Sequence, residues 1–363
     1  KMAFFWHGHF ACRNINIYYQ QLLLHIVRTH ALGNFGALLR EVSKSAAMLN
    51  FLNNNQNRKD HPNENFAREV MELFTMGRGT YTEYDIREAA RAFTGWGSSL
   101  NGEFIFRRAQ HDGGQKTFLG KTGNFTGDDI IDILLEQPAT ALFITRKLYR
   151  FFVDESVDDA RVEWLAKRFY QGGYAIPQLL EDIFTSDWFL DKAHIGNRIK
   201  SPVELWVGLR RQLPIDPGGG ATELLIQKLL GQILFFPPNV AGWPGGRSWI
   251  DSSSLLFRMR LPQLMAGSEA LAIIPKSDDD EQMGRPQAAG RGLDIKIDWT
   301  SYALNFRAIA KDELLPAMKR FLLQSPGGPA ASLLNQYANL SSRDAYISST
   351  TINLMSCPEY QLC

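Results

Sequence analysis

At 363 residues, with 39 Lys+Arg against 38 Asp+Glu and 45% hydrophobic content, the chain has material for one large core or two smaller ones. That composition excludes wholesale disorder, and a net charge of +1 supplies no electrostatic case for nucleic acid or an anionic membrane as partner. The longest apolar runs, Ile130–Leu135 and Leu229–Phe236, fall well short of the ~20 residues of a membrane helix, so no transmembrane segment is expected.

The chain opens at Lys1-Met2-Ala3-Phe4-Phe5-Trp6-His7, inside an aromatic-rich stretch, and further residues are expected to precede it in the full protein. From there helical periodicity dominates. Apolar residues at i, i+3, i+4 and i+7 predict helices over 16–29, 35–52, 63–76, 82–94, 127–135, 139–152, 158–171 and 176–185. Further helices are expected over 202–212, 222–233, 252–264, 311–323 and 341–356. Asn63 is the expected N-cap of one helix, and Thr82 with Asp85 resembles a capping box at another. Strand signals are thin: 103–107 and 116–119 read as a small hairpin. Residues 235–246 form a long irregular path rich in Pro, Gly and Trp, where Trp243 and Trp249 offer flat faces.

The fold class is therefore mainly α, a large multi-helix bundle-like body with a short β-hairpin and that irregular loop. The polar run around 276–293 divides a main helical domain, 1–275, from a C-terminal helical segment, 294–363, expected to pack on the main body. Cys12, Cys357 and Cys363 fit no zinc spacing; a Cys357–Cys363 disulfide and three free thiols are both open.

Three polar clusters are candidates for chemistry. His7-Gly8-His9 offers two imidazoles, but i and i+2 on a helix point roughly 200° apart, so they share a metal only if Gly8 leaves the helix. On the helix over 63–76, Asn65, Glu69 and Glu72 fall at i, i+4 and i+7 beside an apolar stripe, with Glu64 at its start. Stacked carboxylates can hold a cation or act as general acid and base, although pairing with Arg68, Arg87 or Arg91 serves structure equally well. The loop His111-Asp112-Gly113-Gly114-Gln115-Lys116 joins an imidazole, a carboxylate and an amine, and is also an ordinary turn sequence. These residues define an expected catalytic set of Glu64, Glu69, Glu72, His111, Asp112 and Lys116, and an expected metal set of His7, His9, Glu69 and Glu72.

Several phrases resemble a known family. They are Phe5-Trp6-His7-Gly8-His9-Phe10, Leu32-Gly33-Asn34-Phe35 and Pro62-Asn63-Glu64-Asn65-Phe66-Ala67-Arg68-Glu69. Later come Ala92-Phe93-Thr94-Gly95-Trp96, Lys200-Ser201-Pro202-Val203-Glu204, Pro237-Pro238-Asn239-Val240-Ala241-Gly242-Trp243 and Cys357-Pro358-Glu359-Tyr360. In this order they resemble the bacterial family catalogued as domain of unknown function 1800. The resemblance implies a large, mainly helical protein, extracytoplasmic (periplasmic, cell-surface or secreted), with an N-terminal extension. It also implies a sulfatase-like partner protein, and a homo-oligomer is compatible with it. No activity comes with the name. The functional expectation is an exported hydrolase-type enzyme, assisted by a divalent metal ion, acting on a cell-surface or extracellular polymer. A metal-free version uses Glu69 or Glu72 as base with His111 or Lys116 stabilising charge. The alternative is a structural or assembly protein of the cell envelope or extracellular matrix without catalytic activity. A carbohydrate-binding module using exposed tryptophans is a third reading.

Overall fold

The structure is a computed structural model that describes residues 1–267, 293, 295–324 and 327–363. The fold is mainly α: among the described residues there are 17 α-helices, and strands occur only in three two-stranded sheets. No described helix is long and apolar enough to cross a membrane. The run 276–292, expected as a polar linker, lies outside the described residues. Two compact units emerge, one of Lys1–Asp191 with Phe235–Trp243, the other of Lys192–Leu234 with Pro244–Cys363.

The first unit is built on Trp6, Phe10, Phe35, Leu38, Phe66, Phe74, Phe93 and Ile144, all inaccessible to solvent. Burying such side chains removes the apolar surface that drives folding, roughly 2 kcal/mol for each aliphatic or phenyl group. The indole of Trp6 is also satisfied, its Nε1 donating to the Ala31 carbonyl at 3.0 Å. Local chemistry marks the helix ends. Asn16 accepts from the Tyr18 and Tyr19 amides, Asn34 from Ala37, and Asp158 from Arg161. The expected Thr82–Asp85 capping box is formed. The N-cap of the helix Asn65–Glu69 is Glu64 rather than the expected Asn63; Asn63 stands one residue earlier and accepts from the Asn65 amide at 3.0 Å as an Asx turn.

Three departures from the periodicity have clear causes. Met2–His9 is a helix, invisible to a stripe search because its aromatic residues leave no polar face. The run over 35–52 is two helices, Phe35–Lys44 and Ala46–Phe51, because Ser45 turns extended and accepts from the Met48 amide. The expected pairing of 103–107 with 116–119 is not made: Phe104–Phe106 pairs with Trp96–Ser98, and Lys116–Phe118 with Lys121–Gly123. A tight local turn closes each hairpin, which costs less chain entropy than a longer closure.

The helix Asn65–Glu69 continues as a π-helix, Val70–Thr75, with Met76 N–H donating to the Met71 carbonyl at 2.9 Å. Such wide turns leave carbonyls displaced from the regular ladder and concentrate at functional sites. Here the Thr75 hydroxyl donates to the Val70 carbonyl at 2.7 Å, and the last carbonyls receive donors from elsewhere in the unit.

The second unit packs Leu205, Leu209, Phe257, Leu261, Tyr302, Met318, Leu354 and Tyr360. The helix Pro202–Gln212 starts at a Ser201–Glu204 capping box. All three cysteines are free thiols, so the Cys357–Cys363 pairing is not formed; Cys357 Sγ donates to the Leu354 carbonyl at 2.8 Å.

Candidate functional site

Because Met2–His9 is helical, His7 and His9 point to different neighbours. His7 Nε2 accepts the Phe235 N–H at 3.1 Å, and its ring lies 4.7 Å from Phe235 and 5.4 Å from Trp243. Burial there pushes its pKa down to about 4. His9, 6% exposed, sits on the opposite side between the π-helix and the helix Pro138–Phe152. Its Nε2 is 3.2 Å from the Phe74 carbonyl and its Nδ1 is 3.1 Å from Lys147 Nζ. One neutral tautomer satisfies both: Nε2–H donates to the carbonyl and Nδ1 accepts from the amine. Lys147 Nζ also reaches the Leu73 carbonyl at 3.4 Å and lies over the Phe143 ring at 4.6 Å. Burial holds His9 well below its ordinary range, and Lys147 is pushed down to about 8. The pair thus closes the end of the π-helix, where terminal carbonyls need outside donors.

The loop Phe235–Trp243 approaches this helix backbone to backbone. Gly242 has φ +82°, and a Cβ there would lie 2.8 Å from the Gly8 carbonyl oxygen. Gly242→Ala is therefore expected to lower stability by about 1–3 kcal/mol through left-handed strain plus that clash. Urea unfolding of the variant checks the figure, and an unchanged midpoint would remove this constraint.

The acidic cluster is built differently. Glu64 pairs with Arg68 at 3.2 Å and Arg87 at 3.6 Å, and Arg68 reaches Glu83 at 2.7 Å. Asn65 donates to the Leu52 carbonyl at 3.2 Å. Glu72 accepts from Arg78 Nε at 2.5 Å. Glu69 is the exception, for among the described residues it makes no hydrogen bond or ion pair. Partial burial, and secondarily the Glu72 charge, raise its pKa above the ordinary carboxyl value. Tyr81 stands by the same two carboxylates and is pushed up to about 12, chiefly by burial.

In the third cluster His111 and Asp112 do not pair with each other. His111 Nδ1 donates to the Thr94 carbonyl at 2.9 Å, and its ring packs on Phe106. Asp112 instead takes both Nε (2.7 Å) and Nη2 (3.3 Å) of Arg91, which holds its carboxyl below the ordinary range. Lys116 is 1% exposed and donates to the carbonyls of Asp112 and Gly114, so its ammonium is not directed at a cleft. Glu88 joins the chain, accepting from Arg91 at 2.8 Å and from the Thr117 amide at 2.8 Å.

The three clusters therefore have separate partner sets. The expected metal set of His7, His9, Glu69 and Glu72 is not assembled, since His7 Nε2 and both His9 nitrogens are already engaged within the protein. Among the described residues no three His, Cys, Asp or Glu side chains gather as a metal site. Lys147 and Glu88 were not singled out from sequence, and Arg91 only as a possible partner of the carboxylates on the helix over 63–76. Lys147 carries no motif, and a Glu–Arg pair at i, i+3 looks the same whether it is solvated or buried.

An open groove lies elsewhere in the first unit. Its volume is about 560 Å³, and it is lined by Arg161, Trp164, Thr185, Ser186, Asp187 and Trp188. Trp164 is 47% exposed, and the Arg161 guanidinium lies 4.9 Å from the Trp188 ring centroid. Trp249, expected to offer a flat face, is buried, and Trp243 is turned against His7. A family model described as protein of unknown function (DUF1800) matches residues 1–362. The chain belongs to the DUF1800 family. No curated protein and no solved structure matches this DUF1800 chain.

Proposed function

We propose that this DUF1800 protein is a structural or assembly protein of the cell envelope or extracellular matrix, without catalytic activity. One observation carries this reading: His111, Asp112 and Lys116 each fasten a different piece of backbone or an arginine, rather than facing a common hollow. The extracytoplasmic setting and a sulfatase-like partner are proposed with it, on the family resemblance. The Trp164–Trp188 groove is the natural surface for a saccharide, combining an exposed indole face with Arg161, Ser186 and Asp187. Purified protein is expected to co-sediment with insoluble envelope polysaccharide and release no soluble product. Trp164→Ala should weaken that binding while shifting stability by less than ~0.5 kcal/mol, as for an exposed position.

A second reading, the metal-assisted or metal-free hydrolase, is favoured by Glu69 alone. It is half-buried, raised in pKa and beside Glu72 and Tyr81, as a proton-handling carboxyl would be. Turnover of a polysaccharide or peptide that Glu69→Gln abolishes with melting unchanged would overturn the non-catalytic proposal. Loss of that turnover on chelation would identify the metal-assisted version.

A further inference from the structure

The second unit buries a cation that makes no ion pair among the described residues. Arg258, on the helix Ser252–Met265, is 0% exposed. Its Nη1 donates to the Lys200 carbonyl at 2.9 Å, which fixes the plane of the guanidinium. Its Nε and Nη2, the two nitrogens of the side-on edge, have no hydrogen-bond partner, and among the described residues it makes no ion pair. That edge carries two parallel N–H bonds spaced to meet the two oxygens of one carboxylate, sulfate or phosphate. An uncompensated buried charge is among the costliest arrangements in a fold, so a guanidinium held this way calls for an anion.

The elements that pack against Arg258 carry further unpartnered polar atoms. The Lys200 amide donates to the Gln361 carbonyl at 2.8 Å, which brings Gln361 to the same strand of backbone that receives Arg258. The Gln361 side chain is 4% exposed, and both its amide atoms lack partners. The helix Arg343–Met355 packs on Ser252–Met265 and carries Thr350 Oγ1 and Asn353 Nδ2, likewise buried and unpartnered, with Ser356 Oγ just beyond it. Lys200 Nζ is close by, donating to the Tyr360 carbonyl at 2.6 Å. The opposing charges are Glu204, paired with Arg198 at 2.7 Å, and Glu359, whose Oε2 is buried and also unpartnered.

We propose that the Arg258 side-on edge, with Gln361 beside it, is a buried binding site for one small oxyanion of the phosphate, sulfate or carboxylate class. The site is independent of the Trp164 groove and of any catalytic reading. Protein purified in chloride buffer is heat-denatured and its supernatant analysed by ion chromatography; melting is then followed in phosphate, sulfate, acetate and chloride at equal ionic strength. We expect either about one equivalent of a single oxyanion on denaturation, or a rise in melting temperature of about 5–10 °C at a hundredfold excess over Kd. Sulfate and phosphate stabilise proteins generally, so the reference is Arg258→Met, which should fold and show only that general response. Arg258→Lys, which keeps the charge without the fork, should lose the specific rise even if the Met variant does not fold. Glu359→Gln should leave the rise intact. No released anion together with equal anion responses of wild type and the Arg258 variants would overturn the site, leaving ordered water as the partner of that edge.

Discussion

Lowering the pH from 7 to 5 is expected to destabilise the first unit by about 2 kcal/mol through His7, with His9 adding to the loss in the same direction. Both imidazoles are neutral and buried in the folded protein, His7 with a pKa of about 4 against 6.5 when free, His9 also well below 6.5. Since each folded pKa lies below the unfolded one, the unfolded chain binds more protons through this interval. Stability is therefore full above about pH 6.5 and falls as the solution is acidified. The carboxylates held below their ordinary values, Asp112 and Asp85, act only under about pH 4, while Glu69, held above its value, works weakly in the opposite direction. Guanidinium unfolding followed by tryptophan fluorescence at the two pH values measures the slope. His7→Gln with His9→Gln keeps an acceptor for the Phe235 amide and a donor for the Phe74 carbonyl but removes the titration, so its slope should flatten. An unchanged slope in that double variant would place the acid sensitivity elsewhere.

Glu88→Ala is expected to cost about 3–5 kcal/mol, the range for breaking a buried ion pair from one side. The Glu88 carboxylate accepts from Arg91 and from the Thr117 amide, while Arg91 in turn clamps Asp112, so one deletion orphans the Thr117 N–H and leaves Arg91 Nη1 only the Gln115 carbonyl at 3.3 Å. Glu88→Gln should cost less, because its amide oxygen still accepts from Thr117. Thermal unfolding measures the total, and hydrogen exchange at the Thr117 amide reports whether the hairpin Lys116–Phe118 with Lys121–Gly123 loosens first. A loss under 1 kcal/mol would mean that the Glu88–Arg91–Asp112 chain is surface decoration.

Most helices were legible in sequence because a solvated helix must alternate apolar and polar faces, and residues such as Ile130, Ile131 and Leu134 show that spacing openly. Met2–His9 escaped because it has no polar face to set the period. Residue types at the candidate sites were legible too, but their partners were not. His9 meets Lys147 across 138 positions and His7 meets Phe235 across 228, contacts that no local spacing encodes. His111 and Asp112 are adjacent in sequence, yet Thr94 and Arg91 claim them separately, since a neighbouring side chain has no geometric advantage once a better donor or acceptor is fixed nearby.

The first unit takes its last nine residues, Phe235–Trp243, from beyond a stretch that belongs to the second. Synthesis therefore delivers Lys1–Asp191 long before the segment that caps His7 and lies against Gly8. Until the ribosome has emitted Trp243, the nascent N-terminal portion carries an imidazole without its amide donor and an uncovered aromatic ledge. Its completion is thus tied to translation of the sequence between, and premature termination anywhere before that point yields an unfinished body open to chaperones and proteases.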